Sequence, residues 1–173
     1  INALTEKQTN GESIRDWLSS LPEVSQEARE DLRSVFDKPE FRGIDPGDVA
    51  MILDTNAVSA IASQDSEIVP QLAKARTLAV TIITLGEFSF GIQQSRHREQ
   101  LTAWLEAFMA RTQVLFLDCE TLTHYATLRR ELKEAGTPIP ANDCWISALA
   151  RQHRMPLLTR DQHFQFVSGI QSV

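Results

Sequence analysis

From residue 51 to the end of the chain, short apolar segments alternate with longer segments in which apolar residues recur every three or four positions. Each short segment predicts a buried strand, and each longer segment predicts a helix. The predicted strands are residues 51–54, 78–81, 114–117, 156–159 and 170–173. The predicted helices are residues 56–62, 66–75, 84–94, 97–110, 120–135 and 142–153. Because parallel strands need long crossover connections, this alternation favours a three-layer α/β/α sandwich with a short parallel sheet.

A small helical N-terminal segment precedes this domain. Ser13 and Ser25 each stand before a short amphipathic stretch, which predicts two capped helices. Residues 37–48 contain two Pro, two Gly and several charges, a composition typical of an irregular tether. Short helices are marginal in water on their own, so we expect these two to dock on the rest of the chain. We therefore divide the chain into residues 1–50 and residues 51–173.

The distribution of charge follows the same division. The chain has 17 Lys and Arg against 23 Asp and Glu, and its net charge of −6 by itself argues against a nucleic-acid-binding protein. Residues 1–50 contain six basic and eleven acidic side chains, whereas residues 51–173 contain eleven basic and twelve acidic ones. The α/β domain is therefore nearly neutral, and the overall charge does not exclude an RNA partner.

The cysteine content and the hydropathy pattern exclude several other classes. The two cysteines have no ligand-like spacing to each other or to the four histidines, which argues against a disulfide scaffold and a zinc module. They favour a reduced, cytoplasmic protein. No apolar run approaches the length of a membrane span, and the N-terminus lacks a signal-peptide pattern, so we expect no membrane partner.

Four acidic residues fall at or just after predicted strand ends, or at the start of the following helix: Asp54, Glu87, Asp143 and Asp161. In a parallel α/β sheet the functional crevice lies beyond the carboxyl ends of the strands. Carboxylates in one crevice repel each other unless a cation joins them. Hard oxygen ligands without His or Cys suit Mg²⁺ or Mn²⁺. The four residues therefore favour metal-dependent hydrolysis of a phosphodiester.

Each of these residues also has a purely structural interpretation. Asp54 and Asp161 can cap a helix or stabilise a turn. Asp143 can interact favourably with a helix dipole, and Thr84 with Glu87 matches a capping box. For each residue alone these interpretations stay open, and it is the combination of four that favours a metal site.

At this point the sequence resembles a known family. Residues 51–173 are similar to PIN-domain ribonucleases, the VapC toxins of type II toxin–antitoxin systems. The resemblance covers almost the whole of this segment and is carried by four motifs in a fixed order. They are Met-Ile-Leu-Asp-Thr-Asn at 51–56, Thr-Leu-Gly-Glu at 84–87, Ile-Pro-Ala-Asn-Asp-Cys-Trp-Ile-Ser-Ala-Leu-Ala at 139–150, and Leu-Leu-Thr-Arg-Asp-Gln-His-Phe at 157–164.

The resemblance implies an endoribonuclease that depends on Mg²⁺ or Mn²⁺, is usually a homodimer and is inhibited by a cognate antitoxin. It implies that four acidic residues bind the metal and catalyse the reaction: Asp54, Glu87, Asp143 and Asp161. Thr55 and Asn56 are expected to orient Asp54 or to contact phosphate. Asn142 and Thr159 are expected to donate hydrogen bonds to the metal ligands.

Residues 1–50 have the layout of an inhibitory antitoxin segment. In the systems that the domain resembles, the C-terminal part of a VapB-like antitoxin wraps the toxin with amphipathic helices and then extends to the active site. Residues 12–42 follow that order and lead into an extended stretch. Phe41 would anchor in an apolar groove, and Arg42 would pair with the acidic site in competition with the metal. The alternatives are a structural extension of the domain and a separate antitoxin acting in trans.

Two other functional classes stay open at this stage. A phosphotransfer or phosphatase-type α/β domain also places aspartates at strand ends. However, Asn56 stands where one such type needs a second Asp, and no Lys follows Lys133 where another type needs one. A catalytically idle acidic interaction module is the remaining alternative.

The aromatic residues and the histidines are given no part in the chemistry. Five aromatic residues at helical spacings are expected in the core or at a dimer contact: Phe88, Phe90, Trp104, Phe108 and Trp145. The four histidines are scattered along the domain, at 97, 124, 153 and 163, and are assigned no catalytic role. No short motif identifies the RNA, because recognition by shape leaves no local signature.

Overall fold

Four parallel strands form one sheet in the computed structural model, which describes residues 13–35 and 49–173. The strands are β1 Val49–Leu53, β2 Ala75–Thr81, β3 Gln113–Leu115 and β4 Leu157–Leu158. Their order in the sheet is β3-β2-β1-β4, and every neighbouring pair is parallel. All four carboxyl ends therefore meet at one edge of the sheet.

Helices precede, connect and cover the strands. The two N-terminal helices are α1 Ile14–Ser19 and α2 Gln26–Val35. The helices of the α/β domain are α3 Thr55–Ala62, α4 Val69–Leu72, α5 Ile82–Gln94, α6 Arg98–Arg111, α7 Cys119–Glu134 and α8 Ala141–His153, followed by a 3₁₀ helix at Gln162–Phe166. Within the described ranges, no helix is long and apolar enough to cross a bilayer.

Both faces of the sheet are buried. Alternate residues of β1 point to opposite sides and contribute to a core on each face. Met51 and Leu53 belong to the larger core, which also contains side chains of α3, α5 and α6. Ile52 belongs to a second core, together with Ile146 and Leu149 of α8. The predicted three-layer α/β/α sandwich is therefore confirmed.

The two N-terminal helices complete the larger core. Ser13 caps α1 as predicted, since its side chain accepts a hydrogen bond from the backbone N–H of Asp16 at 3.2 Å. Trp17 is 1% exposed and meets the ring of Phe108 edge-on, with 6.0 Å between the ring centroids. Four further residues of this segment are buried in the same core: Leu21, Val24, Ala28 and Leu32. The apolar faces of α1 and α2 are thus covered by the domain.

Polar contacts fix the end of α2 beside the ends of two domain helices. Asp31 accepts a hydrogen bond from the hydroxyl of Ser95, the residue that follows α5, at 2.8 Å. Arg33 donates to the backbone carbonyl of Ser63, the residue that follows α3, at 3.3 Å. The last turns of α2 therefore lie at the C-terminal ends of α3 and α5.

Two predicted elements differ in kind from the structure, while others differ only at their ends. The helix predicted at 66–75 is only the single turn of α4, because Ala75 already pairs with β1 as the first residue of β2. Residues 170–173 do not form a fifth strand. They lie beside β4 through one isolated bridge between Leu157 and Ser172, because β4 itself is only two residues long.

The aromatic residues also divide between two environments. Phe88, Trp104 and Phe108 are buried, as expected of core residues. Phe90 is 69% exposed, and Trp145 is half-buried with its ring stacked on that of Tyr125. The predicted contacts of Phe41 and Arg42 lie outside the described residues.

Candidate metal centre

The four acidic residues predicted from the sequence meet at the carboxyl edge of the sheet. Asp54 follows β1 directly, and Asp161 follows β4 after two residues. Glu87 lies in the second turn of α5, which begins where β2 ends, and Asp143 lies in the first turn of α8. All four line one cavity of about 940 Å³. The structure therefore brings together the whole predicted set.

Asp54 is the most buried of the four, at 3% exposure. It caps α3, since its Oδ1 accepts a hydrogen bond from the backbone N–H of Ala57 at 2.7 Å. Its Oδ2 accepts a short hydrogen bond from the hydroxyl of Thr159. Burial raises the pKa of Asp54 to about 7 despite these two hydrogen bonds, and the charges of Asp161 and Asp143 raise it further. The carboxylate is therefore costly to ionise without a cation nearby.

Glu87 is oriented by hydrogen bonds to both of its oxygens. Thr55 donates its hydroxyl hydrogen to Oε2 at 2.5 Å, and the amide of Asn142 donates to Oε1 at 2.7 Å. Thr55 thus orients Glu87 rather than Asp54. The capping-box interpretation of Glu87 is wrong, because the residue that caps α5 is Thr81, whose side chain accepts from the backbone N–H of Thr84.

Asp143 and Asp161 form the tightest group in the cavity, and a histidine joins them. Nδ1 of His163 lies 3.4 Å from Asp143 Oδ2 and 3.2 Å from Asp161 Oδ1. Burial raises the pKa of Asp143 to about 6, and the charges of Asp161 and Glu87 add to the shift while His163 opposes it. Asp161 caps the 3₁₀ helix by accepting from the backbone N–H of His163 at 2.8 Å.

Thr159 connects two of the acidic residues. Its hydroxyl donates to Asp54, and its oxygen also accepts a hydrogen bond from the backbone N–H of Asp161 at 2.9 Å. Asn56 lines the cavity beside Thr55. Three of the four polar residues predicted to support the centre thus hydrogen-bond an acidic residue, and Asn56 faces the same space.

The donor set of the cavity fits a hard divalent cation. Its described lining contains four carboxylates and no lysine or arginine. Arg160 lies between Thr159 and Asp161 in the sequence. However, its side chain is 4% exposed and its guanidinium pairs with Asp65 at 2.8 Å. Carboxylate oxygens are the preferred ligands of Mg²⁺ and Mn²⁺, and each oxygen that accepts one hydrogen bond keeps a lone pair for a metal.

His163 is the residue of this site that the sequence left without a role. The sequence does not reveal the contact between His163 and Asp143, because these residues come from different elements and lie 20 positions apart. The signal that could have found it is its position two residues after Asp161, within the motif at 157–164. The other histidines do not belong to this cluster within the described residues.

Comparison with known proteins assigns the same region to one family. A family model described as "PIN domain" matches residues 51–169. The chain is 32% identical over 130 residues to "Ribonuclease VapC5" of Mycobacterium tuberculosis, a match that covers 72% of this chain and 92% of the relative. It is 29% identical to the "tRNA(fMet)-specific endonuclease VapC" of Shigella flexneri, covering 55% of this chain and 73% of the relative.

Solved structures of related complexes have the same fold. The crystal structure of VapBC2 from Rickettsia felis, bound to a DNA fragment from its promoter, matches with a TM-score of 0.65 at 28% identity, covering 72% of this chain and 98% of that chain. VapBC-1 from nontypeable Haemophilus influenzae matches with a TM-score of 0.65 at 26% identity, covering 72% and 97%.

The raised pKa of Asp54 predicts that this residue opposes folding at neutral pH. Between about pH 4 and pH 7 the folded state keeps a proton that the unfolded chain has released, so the free energy of unfolding falls as the pH rises through that window. Asp54→Asn removes this loss of stability, because the amide does not ionise. Each pKa unit between the folded and unfolded states corresponds to about 1.4 kcal/mol in the free energy of unfolding. In a chelating buffer we expect the variant to gain a few kcal/mol over the native chain at pH 8 and little at pH 4.

Urea unfolding at the two pH values measures this difference. Asp118→Asn is the matched control, because Asp118 also caps a helix but its pKa is lowered, chiefly by the hydrogen bond from the Thr121 backbone. That substitution should reduce stability at pH 8. A gain from Asp54→Asn that is the same at both pH values would contradict the assignment.

Proposed function

The chain belongs to the PIN domain family, among the VapC ribonucleases, and from this premise we propose that its four clustered carboxylates are the active centre of a metal-dependent endoribonuclease. Family membership favours this function over a phosphotransfer domain or an idle acidic module. The single observation that carries the assignment to these residues is their convergence in one cavity. Asp54, Glu87, Asp143 and Asp161 line it together, without a basic side chain among its described lining residues.

PIN nucleases generally use divalent metal ions, and we propose Mg²⁺ or Mn²⁺ for this centre. When bound, such an ion would polarise the scissile phosphodiester and lower the pKa of an attacking water. Asp143 and Asp161 present oxygens close to one another, within 4.8 Å. Thr159 holds Asp54, while Thr55 and Asn142 hold Glu87. These hydrogen bonds fix the direction of the carboxylate oxygens before substrate binds, and we assign Asn56 to phosphate contact.

The proposed substrate is RNA in the cytoplasm. A backbone-binding surface needs exposed basic residues outside the cavity. Arg151 and Arg160 are largely buried in ion pairs with Glu131 and Asp65, whereas other arginines of the domain are exposed and suit this role. They are Arg96, Arg98, Arg129, Arg130 and Arg154. The Shigella relative is named for cleavage of tRNA(fMet), which makes a transfer RNA the first substrate to try.

We also propose that two copies of the chain pair through an exposed apolar surface of α5 that forms part of the cavity wall. Ile82, Gly86 and Phe90 are spaced four residues apart on one face of α5, and a Cβ on Gly86 would meet nothing within 4 Å beyond the surrounding turns of its own helix. Phe116 is 65% exposed and follows Leu115, which pairs with Thr81, so Phe116 and Ile82 leave the sheet at neighbouring strand ends. Contiguous apolar surface of this kind marks an interface.

The segment before the domain is proposed to inhibit the centre in cis. The last turns of α2 lie beside the C-terminal end of α3. Because α3 has eight residues, this end lies about 12 Å from Asp54 at the other end of the helix. Arg42 follows Val35 by seven residues, and an extended chain of that length spans about 25 Å. The chain is thus long enough to carry Arg42 to the acidic cavity. A separate antitoxin acting in trans is the alternative occupant of the cavity. The solved structures that resemble this chain include VapBC toxin–antitoxin complexes.

Replacing one ligand tests the active centre. Asp143→Asn should lower the rate of RNA cleavage at saturating Mn²⁺ by at least about 100-fold, since it removes a metal ligand worth several kcal/mol in the transition state. Glu106→Gln, at an exposed position on α6, is the charge-matched control and should cleave normally. The rates are compared in the native chain and in an Arg42→Ala background, so that inhibition in cis does not mask them. Cleavage that survives chelation or Asp143→Asn would exclude the assignment.

Substitutions in the tether test the inhibitory segment. Arg42→Ala in the full chain should increase the cleavage rate at limiting metal by at least about tenfold, because it removes the proposed guanidinium–carboxylate pair. Phe41→Ala should have a similar effect, because it removes the proposed apolar anchor of the tether. Arg15→Ala removes the same charge from an exposed position of α1 and should have no effect. Equal rates for all four proteins would favour the structural extension instead.

Sedimentation equilibrium tests the proposed dimer. Phe116→Asp should raise the dimer dissociation constant at least about tenfold, since it places a charge in the apolar interface. Phe166→Asp is the control, because Phe166 is 48% exposed but lies on the 3₁₀ helix, outside the proposed surface. The proposal fails if the native chain is monomeric or if both variants weaken association equally.

A further inference from the structure

The imidazole of His163 stands at the distance of a neighbouring metal ligand. Its Nδ1 is 3.2 Å from Asp161 Oδ1 and 3.4 Å from Asp143 Oδ2. Adjacent ligands around an octahedral ion with bonds of about 2.1 Å are separated by roughly 3 Å. Both observed distances exceed the roughly 2.7–2.9 Å of a charge-assisted hydrogen bond. The spacing therefore also suits three ligands around one ion.

The backbone places His163 beside Asp161. Asp161 caps the 3₁₀ helix by accepting from the N–H of His163, so the carboxylate and the imidazole belong to the same turn. One donor atom each from Asp143, Asp161 and His163 lies within 4.8 Å of the others. The His163 side chain is 49% exposed, which leaves room for water or substrate on the open side of the group.

We propose that His163 is a nitrogen ligand of the metal centre, together with Asp143 and Asp161, and that it biases the centre toward Mn²⁺ over Mg²⁺. Imidazole suits transition-metal ions, whereas Mg²⁺ strongly prefers oxygen ligands. The proposal rests on the function proposed above and adds a ligand of different chemistry to the four carboxylates. Asp54 and Glu87 line the same cavity as Asp143 and Asp161, and each is held by two hydrogen bonds.

Pulsed electron paramagnetic resonance of the full chain loaded with Mn²⁺ tests the bond directly. We expect electron-spin-echo modulation from an imidazole ¹⁴N nucleus, and we expect it to change when the protein is labelled with ¹⁵N-histidine. His163→Phe keeps an aromatic ring at this half-exposed position and removes the nitrogen, so the modulation should disappear. His124→Phe is the control, because His124 lies on α7 beside Glu120 and should keep the signal.

Calorimetric titration measures the bias between the two ions. His163→Phe should weaken Mn²⁺ binding by at least about tenfold. It should weaken Mg²⁺ binding much less, and His124→Phe should change neither affinity. Equal losses for Mg²⁺ and Mn²⁺ would overturn the bias. If His163→Phe does not fold, the labelled native chain decides the question alone.

Failure of this proposal is distinguishable from failure of the proposed function. Bound Mn²⁺ without histidine coupling, released by Asp143→Asn, would overturn the role of His163 and leave the carboxylate centre intact. Mn²⁺ binding that is absent from the native chain, or unaffected by Asp143→Asn, would overturn the centre itself and with it the nitrogen ligand.

Discussion

The electrostatic cost of holding four carboxylates at one edge of a parallel sheet is the constraint on which the rest of this structure depends. Burial raises the pKa of Asp54 to about 7 and that of Asp143 to about 6, and each pKa unit corresponds to about 1.4 kcal/mol. Ionised and without a cation, these groups oppose folding at neutral pH. The two cores on either side of the sheet must supply enough stability to hold them in place, and a ligand that binds only the folded chain adds stability by mass action.

The structural and the functional interpretations of the acidic residues are not alternatives in this fold. Asp54 caps α3 and Asp161 caps the 3₁₀ helix, and both line the proposed centre. A helix that begins where a parallel strand ends places its N-cap at the carboxyl edge of the sheet, which is also where the crevice lies. The cap uses one lone pair of the carboxylate and leaves others for a metal. A capping residue at this edge is therefore already directed toward the site.

Much of the fold and the composition of the site could be predicted from local pattern, and the exceptions depended on tertiary contacts. The strands and helices followed from apolar periodicity, and Asp54, Glu87, Asp143 and Asp161 followed from their places at strand ends. The contact between His163 and Asp143 could not be predicted, because it depends on how the 3₁₀ helix packs against α8. The roles of Thr55 and Thr84 were likewise set by α5 beginning at Ile82, two residues earlier than the pattern indicated.

The proposed inhibition in cis would link the N-terminal segment to this centre. Burial of Trp17 and its neighbours holds α1 and α2 on the domain, so a tether group that reaches the cavity would act there at a high effective concentration. A guanidinium and a divalent cation would neutralise the same carboxylates, since both supply positive charge to a cavity whose described lining contains no lysine or arginine. Inhibition by Arg42 would then compete with metal binding and weaken as the metal concentration rises. If residues 1–50 are a structural extension, the metal affinity does not depend on the tether. The two interpretations of residues 1–50 therefore predict different metal affinities as well as different cleavage rates.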